Sequence, residues 1–369
     1  MKLSLSTTEL LTQLQTATRV ASARASIQAL SGVMISAEGD QPLLLATDME
    51  VGLRVPLKGE ILSPGSAVLP ARLLLEVARS LPGETATLQL RPQEQDVELI
   101  SASATFHLRT LRSEDFPTLP VPDAATRMTL PTQAFVDTAL QVSRSASKDE
   151  TRPVLTGVLI SAGAQELTMV ATDSYRLSVK HATLDAPLQG VVEANVPARA
   201  LQELARIAQS AEEPELTVSL GQNQIVFEIG GIVLSSRLID GQFPNYRQLL
   251  PESVEHELHV SSAEIADVVR RISLLAQKNA PLRLSFAEGE LTVSAQTPDV
   301  GEASETLPIP FSGEPFEIGF NPEFLRDGLD SVESDELVLK LISPLRPGLI
   351  ESPDGGRFVY LIMPIRLNT

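Results

Sequence analysis

Two aspartates in like settings are the first residues that invite a catalytic reading: Asp48 in LLLATDMEV and Asp173 in LTMVATDSYR. Paired carboxylates from similar lobes can share a proton and activate water. The flanking residues argue otherwise, because an aspartic-protease site needs Thr or Ser and then Gly after the Asp. Here Asp48 precedes Met49 and Glu50, and Asp173 precedes Ser174 and Tyr175. A strand-end Asp that bonds to its own turn is the expectation for both. The four histidines are His107, His181, His256 and His259, and only the last two lie close together. On a strand a separation of three sends them to opposite faces, so a shared metal is not expected. No phosphate-binding Gly-x-x-x-x-Gly-Lys, no Gly-x-Gly-x-x-Gly after a strand and no Gly-x-Ser-x-Gly elbow occurs. With no cysteine, disulfides, thiolate metal sites and thiol nucleophiles are excluded. The expectation is a protein that is not an enzyme and uses no cofactor.

The elements that carry these residues recur three times. Each pass opens with a strand running into an amphipathic helix: MKLSLS with TTELLTQLQTATRV, RMTLP with TQAFVDTALQVSRSAS, and ELHVS with SAEIADVVRRISLLAQ. In the third, Ile265, Val268, Val269, Ile272 and Leu275 place one apolar stripe on a core-facing side. Alternating runs follow, then a second helix entered through Pro70, Pro197 or Pro322, where a missing N–H costs nothing. Three more strands close each pass, with Gly221 and the pair Gly230-Gly231 marking hairpins. The repeat is β-α-β4-α-β3. The fold class expected is α+β, three domains of two helices and eight strands each, with borders at 1–125, 126–252 and 253–369, where Pro and acidic residues cluster.

The 369 residues carry 29 Lys and Arg against 47 Asp and Glu, a net charge of −18. Phosphates repel such a chain, which argues against nucleic acid. The charge is unevenly divided, however. Helical windows Ser6–Arg24, Pro70–Leu81, Pro131–Arg152, Pro197–Gln209, Ser261–Lys278 and Asn321–Ser331 sum to +2, and the remainder to −20. Six similar helices of this kind could line one common face. No apolar run is long enough for a membrane span and Met1–Glu9 lacks signal-peptide character, so a cytoplasmic protein is expected. The C-terminal run FVYLIMPIRLNT is apolar beyond what a closing strand requires. Met363, Pro364, Ile365 and Leu367 suit an adaptable groove for a partner peptide.

The ordered anchors VLPAR, DFPTLP, VATDSYRL, NVPAR, LIDGQFPNYRQLLP, IGFNPEFL and YLIMPIRL resemble those of the bacterial beta sliding clamps, the processivity subunits of DNA polymerase III, over the whole chain. The resemblance implies a homodimeric ring with sheets outside and helices inside, through which duplex DNA passes. It implies partners as well: the replicative polymerase, an ATP-driven clamp loader, and other polymerases, ligase and mismatch-repair proteins bearing short linear motifs. Their pocket would comprise Leu155, Thr172, Ser174, Tyr175, Arg176, Leu177, Pro244, Gln248, Leu249, Met363, Pro364, Ile365, Arg366 and Leu367. Tyr175 and Gln248 depart from the enterobacterial pattern, which has His and Arg there. Candidates facing DNA are Arg24, Arg72, Lys148, Arg152, Arg199, Arg206, Arg270, Arg271 and Lys278, most of them on helical phase. Phe106, Leu108, Leu274 and Leu275 are candidate subunit contacts. Two other readings compete: a three-domain interaction scaffold that never encircles DNA, and a hydrolase using Asp48 and Asp173.

Overall fold

The computed structural model describes residues 1–22, 26–120, 127–184, 191–276, 280–353, 355 and 357–367. Among the described residues six α-helices form where the apolar periodicity places them: α1 (Thr7–Val20), α2 (Ala71–Ser80), α3 (Thr132–Ser143), α4 (Ala198–Ala211), α5 (Ser262–Ile272) and α6 (Pro322–Leu329). Their starts are written locally. Ser6 and Ser261 accept the backbone N–H of Glu9 and Glu264, and Asn321 accepts those of Glu323 and Phe324. On α1 the buried residues are Leu10, Leu14, Ala17 and Val20; on α5 they are Ile265, Val268, Val269 and Ile272. Leu275 falls in a 3₁₀ turn, Ser273–Leu275, that extends α5.

α1, α3 and α5 end well short of their windows. α3 ends at Ser143 because the next residues turn their side chains onto nearby partners: Ser145 Oγ meets Ser178 Oγ at 2.6 Å, Ser147 Oγ accepts the Asp149 N–H, and Asp149 accepts that of Thr151. Lys148 and Arg152 therefore sit on a loop. The six helices as formed carry eight basic and eight acidic residues, so they are neutral, a correction to the expected +2. The surplus bases follow α1, α3 and α5 in sequence; of these, Arg24 and Lys278 lie outside the described residues.

Among the described residues the second and third repeats have the expected eight strands, and the first has nine, because Gly59–Ser63 pairs antiparallel with Lys2–Ser6. Strands group into half-sheets of four, with Gly59–Ser63 as a fifth at the edge of one. In each repeat, the first three strands after the opening helix and the strand before the second helix make one half; the opening and last three strands make the other. Two half-sheets fuse across repeats. Val51–Pro56 pairs with Ile232–Arg237, and Arg176–Thr183 pairs with Phe358–Ile362, each giving an eight-stranded antiparallel sheet. The half-sheet ending at Ala104–Arg109 and the one ending at Gly301–Pro308 remain separate.

The fusion makes two compact units whose limits are not those of the repeats. One holds Met1–Thr132 with Glu203–Leu238, the other Gln133–Gln202 with Ile239–Thr369, so the middle repeat is shared between them. In the second unit a large core joins α5 and α6 to the inner face of the sheets around Phe286, Phe311, Phe320 and Tyr360. Tyr360 lies flat on α6 at Gly328, where an added Cβ would come within 2.6 Å of the ring, so only glycine permits this approach.

Candidate functional site

The two Thr-Asp turns are built alike. Asp48 Oδ1 accepts the N–H groups of Glu50 and Val51, and Asp173 Oδ1 accepts those of Tyr175 and Arg176. Each aspartate serves its own turn, as expected. His256 stacks on Phe316 with ring centres 5.4 Å apart, while exposed His259 on the other strand face is near Glu336; among the described residues no cluster able to hold a metal forms.

The second turn opens onto a cleft of about 850 Å³ within the second unit. Thr172, Ser174, Arg176, Leu177, Gln248, Leu249 and Met363 line it, seven of the fourteen expected residues. Its floor is Leu177 and Leu361, continuous with a small core of Val170, Val179, Tyr246 and Leu349 under the connector at 242–251. Exposed apolar side chains crowd the opening: Leu249 is 51% accessible, Leu345 64% and Met363 40%. Large apolar groups left in water around one concavity mark a binding surface. Arg247, Glu252 and Arg346 add a charged rim. Leu250–Ser253, Ile342 and Leu345–Pro347 line the cleft too and went unread in the sequence, because only tertiary pairing brings those loops together.

The other expected pocket residues divide. Tyr175 stands beside the cleft, 60% accessible, stacked on Phe324 at 6.5 Å, and its carbonyl accepts the Met363 N–H. Leu155 is buried in the 3₁₀ turn Pro153–Thr156, and the Pro244 carbonyl accepts the Tyr246 N–H beneath the connector. Pro364 is half-buried beyond Met363, and the Ile365 N–H bonds to Gly319. Arg366 and Leu367 line a different hollow on the four-stranded sheet, with Arg283, Ser294 and Glu302, a correction to their place in the pocket. The tail leaves the cleft after Met363 because its backbone bridges to Gly319, and Leu367 fills the space that a Gly319 side chain would need.

Arg176 holds the back wall. Only 4% accessible, its guanidinium donates to Asp173 at 3.0 Å, Asp327 at 2.5 Å and the Arg144 carbonyl at 2.7 Å, and stacks 4.3 Å over Phe324. Burial alone would lower its pKa, but Tyr360, Asp327 and Asp173 outweigh that and leave it above the ordinary arginine value. Burial drives the Tyr360 phenol the other way, upward, so it stays protonated and donates to the Phe324 carbonyl at 2.7 Å.

Residues 1–120, 129–245 and 247–366 match, in order, the N-terminal, central and C-terminal domains of the DNA polymerase III beta subunit. The chain belongs to that family, the bacterial DNA sliding clamps. It is 32% identical to the beta sliding clamp of Streptomyces coelicolor, covering 95% of this chain and 96% of the relative, and 30% identical to that of Vibrio cholerae over the full length of both. The crystal structure of the Bacillus subtilis sliding clamp superposes over all of both chains with a TM-score of 0.92 at 28% identity.

For a sliding clamp the basic side chains matter next. Arg72, Arg199 and Arg206 are exposed on α2 and α4, and Arg206 pairs with Glu203. Lys148 is 3.8 Å from Glu323; Arg152 bonds Asp149 at 2.9 Å and reaches Ser174 of the cleft turn at 3.1 Å. Arg270 pairs with Asp267 and lies 4.0 Å from Asp330 after α6. Arg271 turns the other way, onto the sheet, where both its Nε and Nη2 bond Glu305. The two arginines do not share a face, contrary to their common assignment.

Proposed function

We propose that two copies of this chain close head to tail into a ring that encircles duplex DNA, and that the cleft beside Arg176 receives short linear motifs of the proteins the ring tethers. The half-sheets carry this reading. Repeats join twice within the chain by the same edge-to-edge pairing, and the one half-sheet of each kind left over is what a second copy would complete. Phe106, Leu108, Leu274 and Leu275 flank those edges; Leu274 is 82% accessible, an apolar residue in search of a partner. For the domain limits at 1–125, 126–252 and 253–369 the support is the three matched segments, 1–120, 129–245 and 247–366, the last of which begins before the third limit.

Held by topology, the ring needs only weak, sequence-independent phosphate contacts. Neutral helices serve sliding, with Arg72, Arg199, Arg206 and Arg270 as sparse contacts and the segments after α1, α3 and α5 (Arg24, Lys148, Arg152, Lys278) supplying most of the positive charge. Arg271 is left to the sheet. The partners are the replicative polymerase, an ATP-driven loader, and other polymerases, ligase and mismatch-repair proteins, in the cytoplasm where bacterial replication runs. In this reading the chain tethers and does not catalyse, and the hydrogen bonds that Asp48 Oδ1 and Asp173 Oδ1 accept from their own turns support it over a carboxylate dyad.

Loading onto nicked circular DNA by a loader and ATP, followed by a high-salt wash, tests the reading. Retention on circles and loss when the circle is cut is expected. Equal release from linear and circular DNA would overturn it.

A further inference from the structure

The wall and the rim of the cleft differ in charge. Arg176, deep in the back wall, faces two carboxylates, Asp173 and Asp327, and so lends the cleft no positive charge of its own. Three charged side chains stand exposed at the opening: Arg247 on the connector, Glu252 just after it, and Arg346 on the loop at 342–347. Among the described residues none of the three has an ion-pair partner. Other exposed arginines show the contrast: Arg127 pairs with Glu228, Arg271 with Glu305 and Arg283 with Glu317. The hollow beside the Asp48 turn is balanced, with Arg237 and Glu50 in its lining. We infer that the cleft selects linear motifs whose apolar anchors are flanked by acidic residues, and that Arg247 and Arg346 take those carboxylates. The inference rests on the peptide reading of the cleft and names the class of motif it takes.

Both arginines are held in place without being neutralised. The Arg247 guanidinium lies 5.1 Å from the centre of the Tyr246 ring, and Tyr246 packs with Leu177 and Leu361 under the floor. That stacking fixes the plane of the guanidinium and leaves its N–H groups for a carboxylate. Arg346 sits in a turn between Pro344 and Pro347, its N–H donating to the Ser343 carbonyl at 3.1 Å. Leu345, its neighbour, is 64% accessible, so an apolar contact and a cation are offered side by side. A chain of net charge −18 repels an acidic segment at long range, but salt screens that field beyond about 8 Å, so the two arginines decide at contact. Single-stranded nucleic acid is the other anionic ligand two arginines could serve. It asks for aromatic faces on which bases stack, and the described lining has none; Tyr175 beside it is already stacked on Phe324. Leu249, Leu345 and Met363 suit a peptide instead.

Calorimetry on the full-length protein tests this with one polymerase-derived peptide extended by Asp-Glu, Asn-Gln or Lys-Lys, at its N-terminus in one set and its C-terminus in another. Wild type at low salt should bind the Asp-Glu form about fivefold tighter than the Asn-Gln form in at least one set. The gap should close in about 1 M salt, where screening acts within about 3 Å. Arg247→Gln with Arg346→Gln should abolish the gap and leave the Asn-Gln form bound as before, whereas Arg247→Lys with Arg346→Lys should keep most of it. Arg247→Glu with Arg346→Glu should prefer the Lys-Lys form. Equal binding of the Asp-Glu and Asn-Gln forms by wild type in both sets overturns the inference, as does a gap that survives the paired Gln variant. A single-stranded oligonucleotide that displaces the peptide from wild type but not from the paired Gln variant, with all three forms bound alike, assigns the arginines to phosphates and overturns it too. Failure of the unextended peptide to bind wild type sinks the peptide reading itself, a separate result.

Discussion

The turns at Thr47–Val51 and Thr172–Arg176 share one backbone and differ in what they offer a ligand. In both, the Thr hydroxyl donates to the carbonyl four residues on, at 2.8 Å and 2.6 Å, and accepts the N–H two residues on. Met49 and Ser174 both take φ = 79°, a strained value for residues with side chains. Yet the hollow by the first turn is about 280 Å³ and the cleft by the second about 850 Å³. The difference comes from few places. Where the first turn has buried Val51, the second has Arg176 with five partners; where the first connector is DFPTLP, the second is the longer QFPNYRQLLP, whose extra residues build a wall. A duplicated turn thus supplies scaffolding, and at one copy a buried charge and a longer connector shape a larger cleft beside it.

The sharpest way to break this contrast is Arg176→Ala. It strands Asp173 and Asp327 without their cation, so a loss of about 3–5 kcal/mol in urea unfolding is expected, together with loss of peptide binding. Val51→Ala, at the equivalent place, removes two methyls at a cost of about 1–3 kcal/mol and should leave peptide affinity alone. Leu249→Ala and Met363→Ala come next. Each should lower affinity for a polymerase-derived peptide by about tenfold in calorimetry, with the melting temperature unchanged, whereas Met49→Ala changes neither. Deleting Ile365–Thr369 removes the bridge to Gly319 and leaves Met363 held only by its N–H bond to the Tyr175 carbonyl. A smaller loss of peptide affinity is expected, with dimerisation intact by size-exclusion mass; undiminished binding would show that Met363 does not need the Gly319 bridge.

The mildest effect concerns the Arg152 link to the cleft turn. Hydrogen bonds from Thr151, then Arg152, hold the Asp149 carboxyl below its ordinary pKa. A depressed carboxylate stabilises the fold above its unfolded pKa and loses that contribution as pH falls through the folded value. Acidification below about pH 4 should therefore loosen the 147–152 loop. Loop amide exchange that rises in acid for wild type but is already raised at pH 7 in Asp149→Asn is the expected pattern.

Much of this was legible in the chain. The three-fold element order, the apolar stripe of α5, and the self-bonding of Asp48 and Asp173 are local in origin, and locality is what sequence patterns record. Gly59–Ser63 was illegible because it is exposed on both faces and forms a strand only through distant Lys2–Ser6. The end of α3 hid behind continued apolar spacing until Ser145 found Ser178. In the pocket, the turn residues and Met363 could be placed from motifs. Arg366 and Leu367 could not, since one backbone bond to Gly319 redirects the tail.

The sharing of the middle repeat between two compact units bears on how the chain survives in a crowded cell. The repeat is not the compact unit: cutting at a repeat border severs a continuous ladder and bares fresh strand edges, templates for misassembly. Single repeats should express as aggregates, while fragments cut at the compact-unit limits, with their separated segments spliced, should stay dispersed. The same hydrogen bonding that joins repeats in the whole chain would thus work against its solubility once the chain is cut.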